Sequence, residues 1–145
     1  MENDAIATQY RTNQIQTASP DRLVLMLYEG ALKAAKDCRD AIESHDWTTM
    51  TRTGRQVQDI MIGLVDTLNG SEGTATLRDL YLYCWKNTVS AQTQRDSRLI
   101  EGVVTVLQNL ADGLQKFLST AQVARPLNSS VNAEMTVSGS VNLAG

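Results

Sequence analysis

A chain of 145 residues is long enough for one hydrophobic core and short for two domains, and it can bury roughly two-thirds of its unfolded surface without disulfides or a metal. Thirteen Lys and Arg against sixteen Asp and Glu give a net charge of −3, with the two signs interspersed. No basic stripe is present to hold a phosphate backbone or an anionic membrane, so nucleic-acid binding is not expected.

No apolar run approaches the ~20 residues that cross a bilayer, and the opening MENDAIATQY lacks the basic and apolar regions of a signal peptide. A cytoplasmic protein without membrane insertion is the expectation. Residues 1–19 read as a polar arm anchored by Ile6, Tyr10 and Ile15. Ser19, Pro20 and Asp21 then make a helix start: a capping hydroxyl, a proline at the first helical position and an acid at the positive dipole end. The first helix should run to Glu43, with Val24, Leu27, Ala31, Ala34, Cys38 and Ala41 along one stripe.

Asp46 caps a second helix reaching about Asn69, whose seam is Trp47, Met50, Gly54, Val57, Met61, Leu64 and Leu68. Asn69 and Gly70 supply a left-handed stop. A third helix follows from about Thr76 to Gln94, with Leu77, Tyr81, Cys84, Thr88 and Ala91 inward. Asp96 or Ser97 starts the fourth, which carries Ile100, Val103, Leu107, Leu110, Leu114, Phe117 and Ala121 until Arg125 and Pro126 end it. Helices joined by short turns are antiparallel neighbours, so the fold class is all-α: an antiparallel four-helix bundle over 20–125. From Val131 to Leu143 apolar or Gly residues alternate with polar ones, which reads as an extended strand or, given its Ser, Asn and Gly content, a disordered tail over 126–145.

Chemistry is hard to place on this framework. The only histidine, His45, falls at an inter-helix turn, and the two cysteines lack histidine partners at ligand spacing, so no metal site is expected. Phosphate-cradling glycine loops are absent, and no cofactor is implied. Cys38 and Cys84 fall on inner faces as small hydrophobes, free thiols rather than a disulfide or a nucleophile. The expectation is a protein that is not an enzyme.

Apolar surface, by contrast, is in surplus. A bundle helix needs an inward stripe of about a third of its circumference. The first helix opens with six consecutive apolar residues, Leu23 to Tyr28; the second adds Ile62 and Val65; the third adds Leu82, Tyr83, Trp85 and Val89. Leu23 and Leu27 are expected to lie under the arm. Ile62, Val65, Leu82 and Trp85 either widen the core or line a groove for an amphipathic helix of another chain.

The stretch TASPDRLVLMLYEGALKAAKDCRDAI, Thr17 to Ile42, resembles the opening signature of the FliS family of flagellin export chaperones: an amino-terminal Tyr (Tyr10), Thr-Ala-Ser-Pro (Thr17 to Pro20) and Leu-Tyr-acidic-Gly-Ala-Leu (Leu27 to Leu32). Leu68 to Tyr83 is similar to the family's Gly-rich turn and Leu-x-x-Leu-Tyr helix, and Ala91 to Asp96 to its Ala-Asn-x-x-x-Asp connection, with Gln92 replacing Asn. Leu114 stands where the family usually has Trp, and the alternating tail falls outside the pattern.

The resemblance implies a cytoplasmic chaperone that binds the carboxy-terminal helical region of flagellin, prevents premature polymerisation and supports type III flagellar export. This fits the surplus apolar residues Ile62, Val65, Leu82 and Trp85 as the expected partner contacts, and it makes Ile6 and Tyr10 candidates for an arm that competes for the groove. The export apparatus and an anti-sigma factor are further candidate partners. The alternative is a helical adaptor or regulatory bundle that self-associates through the same patch.

Overall fold

The computed structural model describes residues 19–70 and 72–131, so the arm residues Ile6 and Tyr10 and the tail beyond 131 lie outside it. Four helices carry the chain: α1, Pro20–Glu43; α2, Trp47–Thr67; α3, Ala75–Gln94 after a 3-10 turn at Glu72–Thr74; and α4, Ser97–Val131. Helix α1 packs on α2 and α2 on α3. On α4, Glu101 pairs with Arg39 of α1 at 3.5 Å, and Gly102 leaves room for the Tyr83 hydroxyl of α3. Two compact units divide within α4, Met1–Ala111 and Asp112–Gly145.

Helix starts follow from local chemistry. Ser19 Oγ accepts from the Arg22 amide at 3.2 Å with Pro20 at the first helical position. Asp46 accepts from the Thr49 amide at 3.2 Å and its hydroxyl at 2.6 Å, and Asp96 accepts from the Arg98 amide at 2.9 Å.

The turns before α2 and α4 share one design. His45 (φ 60°) and Arg95 (φ 52°) both adopt the left-handed conformation, and the next amide bonds back across the turn, Asp46 to the Ala41 carbonyl at 2.8 Å and Asp96 to Ala91 at 3.1 Å. Glycine would usually stand at such positions. Here both side chains engage one indole: His45 stacks on Trp47 with centroids 5.2 Å apart, and the Arg95 guanidinium lies 4.1 Å from the ring centre. Trp47, expected in the core seam, is therefore half-buried and ties the two turns together.

The core of α2 and α3 follows the expected seams, with Met50, Gly54, Val57, Met61 and Leu64 facing Tyr81, Cys84, Thr88 and Ala91. Leu68 and Leu77 are only half-buried. Both cysteines are buried and free, and the Thr53 and Thr88 hydroxyls donate to carbonyls four residues back, each at 2.7 Å.

Two registers depart from expectation. On α1, Leu25 and Tyr28 are buried where Val24 and Leu27 were expected, because the run of six apolar residues leaves the phase open and the Tyr28 hydroxyl finds a partner inside, Tyr81 Oη at 2.7 Å. On α4, Ile100, Val103 and Leu107 are buried as expected, but further along Ala111 and Leu118 are buried where Leu110 and Phe117 were expected; Leu110, Leu114 and Ala121 are half-buried and Phe117 is 59 % exposed. Apolar neighbours at 103/104, 110/111 and 117/118 fit either phase, and a straight helix drifts off a strict heptad. Nor does the helix end at Pro126: it continues to Val131.

Acid should unfold this bundle partly through its caps. Hydrogen bonds from Thr49 hold the Asp46 carboxyl below its usual range, and those from Arg98 do the same for Asp96. A depressed folded value means that the stabilisation is present above the unfolded pKa of about 3.9 and is lost as pH falls through the folded values. The Asp46→Ala, Asp96→Ala double variant should therefore lose less Tm between pH 5 and 3 than the parent, measured by circular dichroism.

Candidate functional site

The two buried thiols are not activated. Burial pushes the Cys84 thiol up to about 12 and raises Cys38 as well, the reverse of nucleophile activation. Among the described residues no group of His, Cys, Asp and Glu is placed to hold a metal ion, and no helix is long and apolar enough to cross a membrane.

The outer faces are another matter. Gln58 Nε2 of α2 donates to Gln92 Oε1 of α3 at 2.6 Å, which fixes the level of one antiparallel helix against the other. Two turns onward along α2 stands Val65; two turns back along α3 stands Trp85. The pair therefore shares one edge and one level of the α2–α3 groove. Ile62 lies one turn from Val65, and Leu82 one turn from Trp85, on the same side. Ile62 is 42 %, Leu82 36 % and Trp85 36 % exposed and Val65 half-buried, so the four residues expected to meet a partner lie on one outer flank of the α2–α3 pair. Tyr83, 42 % exposed, turns to the opposite flank of α3, against Gly102.

A second groove, of about 640 Å³, runs between α1 and α2. Leu23, Met26, Leu27 and Ile60 give it an apolar lining, and Lys33, Asp37, Arg52 and Asp59 stand around it. It opens along the first turns of α1, next to Ser19, where residues 1–18 join. Met26 belongs to the surplus run Leu23 to Tyr28, whereas Ile60 was not singled out from sequence; its signal was an apolar residue next to the seam position Met61. Gln58 and Gln92 were also missed as a pair, since an amide on a helix flank carries no periodic signature.

A family model described as flagellar protein FliS matches residues 1–122. The chain belongs to the FliS family. The flagellar secretion chaperone FliS of Bacillus subtilis (strain 168) is 34% identical over 102 residues, 68% of this chain and 77% of that protein. That of Campylobacter jejuni (serotype O:6) is 27% identical over 128 residues, 86% of this chain and 100% of the relative. That of Salmonella typhimurium (strain LT2) is 29% identical over 102 residues, 68% and 76% of the respective chains.

Exposure and burial predict different responses to substitution. Leu82→Ser or Trp85→Ser, at side chains 36 % exposed, should cost about 1–2 kcal/mol, whereas Leu64→Ala, in the closed seam, should cost about 2–5 kcal/mol. Urea titration distinguishes them; a large loss at Trp85 would make it a core residue rather than a surface one.

Proposed function

We propose that this protein is a cytoplasmic export chaperone for flagellin, binding its carboxy-terminal helical region, preventing premature polymerisation and delivering it to the type III flagellar export apparatus. The observation that supports the reading is the partial exposure of Ile62, Val65, Leu82 and Trp85 along one outer flank of α2 and α3, outside a core already filled. Membership of the FliS family supplies the partner class.

The mechanism is coupled folding. An amphipathic segment lays apolar residues at helical spacing into the groove and gains helix there, and the entropy lost in ordering keeps the affinity low enough for release. Residues that flagellin uses to polymerise are covered while it is bound.

The arm, through Ile6 and Tyr10, is proposed to compete with flagellin, whose segment would then extend from the α2–α3 side over the apolar groove lined by Leu23, Leu27 and Ile60 as well. An anti-sigma factor is a further candidate for the same surface.

Titrating a flagellin carboxy-terminal peptide into the protein should give saturable heat with a gain in helicity, and Trp85→Glu should weaken binding at least tenfold. No heat and no helicity gain would refute the proposal. Self-association through the same patch predicts instead a concentration-dependent mass that Trp85→Glu abolishes, read by sedimentation. Deleting residues 1–12 should raise peptide affinity; unchanged affinity would leave the arm without a competitive role.

A further inference from the structure

We infer that Gln58 is a specificity-determining residue of the α2–α3 groove, reading a hydrogen-bond donor on the docked segment. The inference rests on the flagellin reading above and adds the chemistry the groove demands of its partner.

The argument begins at Gly54. A side chain there would occupy the space taken by the Gln92 carboxamide, so the glycine is a notch through which Gln92 reaches the backbone of α2. In that notch Gln92 Nε2 donates to the carbonyls of Met50 and Thr51, 3.4 Å from each. Carbonyl oxygens only accept, so the carboxamide lies there in one orientation, nitrogen toward the backbone and oxygen toward Gln58. Gln92 Oε1 then accepts from Gln58 Nε2 at 2.6 Å. This second bond orients Gln58 in turn, and its own Oε1 is left as an acceptor with no protein donor among the described residues.

Gln58 is half-buried and stands one turn before Ile62 and two before Val65, at the polar end of the apolar strip. An acceptor pinned at such a place discriminates sharply. A segment that brings an N–H or O–H over it gains a hydrogen bond, while one that covers it with a methyl group strands a desolvated oxygen. The partner is therefore an amphipathic helix whose apolar anchors meet Val65 and Trp85 and whose donor, a Ser, Thr, Asn, Gln, Lys or Arg side chain, lies about two turns, ~10 Å, away along the groove.

The test is calorimetric titration of a flagellin carboxy-terminal peptide into the full chain, the Gln58→Met variant and the Gly54→Ala variant. Gln58→Met keeps the length and removes the acceptor. Gly54→Ala evicts the Gln92 carboxamide and unpins Gln58, while the helix-forming preference of Ala over Gly protects the fold, checked by helicity and unfolding midpoint.

Each variant should bind about five- to tenfold more weakly than the parent. One donor-to-apolar substitution in the peptide should weaken binding to the parent and be silent in Gln58→Met. Equal or tighter binding by Gln58→Met, or no peptide position that couples to it, overturns the inference. Failure of the parent itself to bind is seen before any variant is compared; it overturns the flagellin reading, and this inference with it.

Discussion

Everything in this molecule depends on how little of a helix a four-helix bundle can cover. Each helix turns about a third of its circumference inward, and the seams here fill that share with Ala31, Cys38, Val57, Met61, Leu64, Tyr81, Cys84 and Ile100, all at 2 % exposure or less, and with the buried Gly54. Apolar residues beyond that third have nowhere left to go within the bundle. Helices α1, α2 and α3 each carry such a remainder, and the two outer grooves are what it makes.

The small residues decide where the grooves are shaped. Gly54 on α2 lets the Gln92 amide lie against the helix backbone, so close approach at that end is mediated by a polar group rather than by a large apolar side chain. Toward the other end stand Leu64 and Tyr81, large and fully enclosed, with the Tyr28 hydroxyl reaching Tyr81. An outer groove with a polar end at Gln58 and an apolar end at Trp85 follows from that asymmetry. Burial raises the pKa of both phenols, so neither ionises near neutrality and the pair acts as a satisfied polar contact inside the core.

Much of this was legible in the residues. The seams of α2 and α3 could be read because their apolar positions are isolated by polar ones, and the caps because Ser19, Asp46 and Asp96 stand where orphan amides need acceptors. The later part of α1, from Ala31 to Ala41, and the first part of α4, from Ile100 to Leu107, were legible too; the opening of α1 and the later part of α4 were not, because Leu23 to Tyr28 and the doublets at 110/111 and 117/118 satisfy two registers equally. Trp47 was misplaced for a related reason: an indole at a seam position reads as core until the left-handed His45 and Arg95 bring their rings and charge to it. The four candidate contact residues stood out as an apolar excess, and the level that joins Val65 to Trp85 needed the Gln58–Gln92 bond to fix it.

The central claim is that the α2–α3 edge receives a partner helix. The chain holds two tryptophans, Trp47 and Trp85, so a Trp47→Phe variant makes indole emission a report on the groove alone. Adding a flagellin carboxy-terminal peptide that lacks tryptophan should shift Trp85 emission to the blue and protect it from acrylamide quenching, saturating at one peptide per chain. Binding that leaves Trp85 emission and quenching unchanged would place the partner elsewhere and contradict the account.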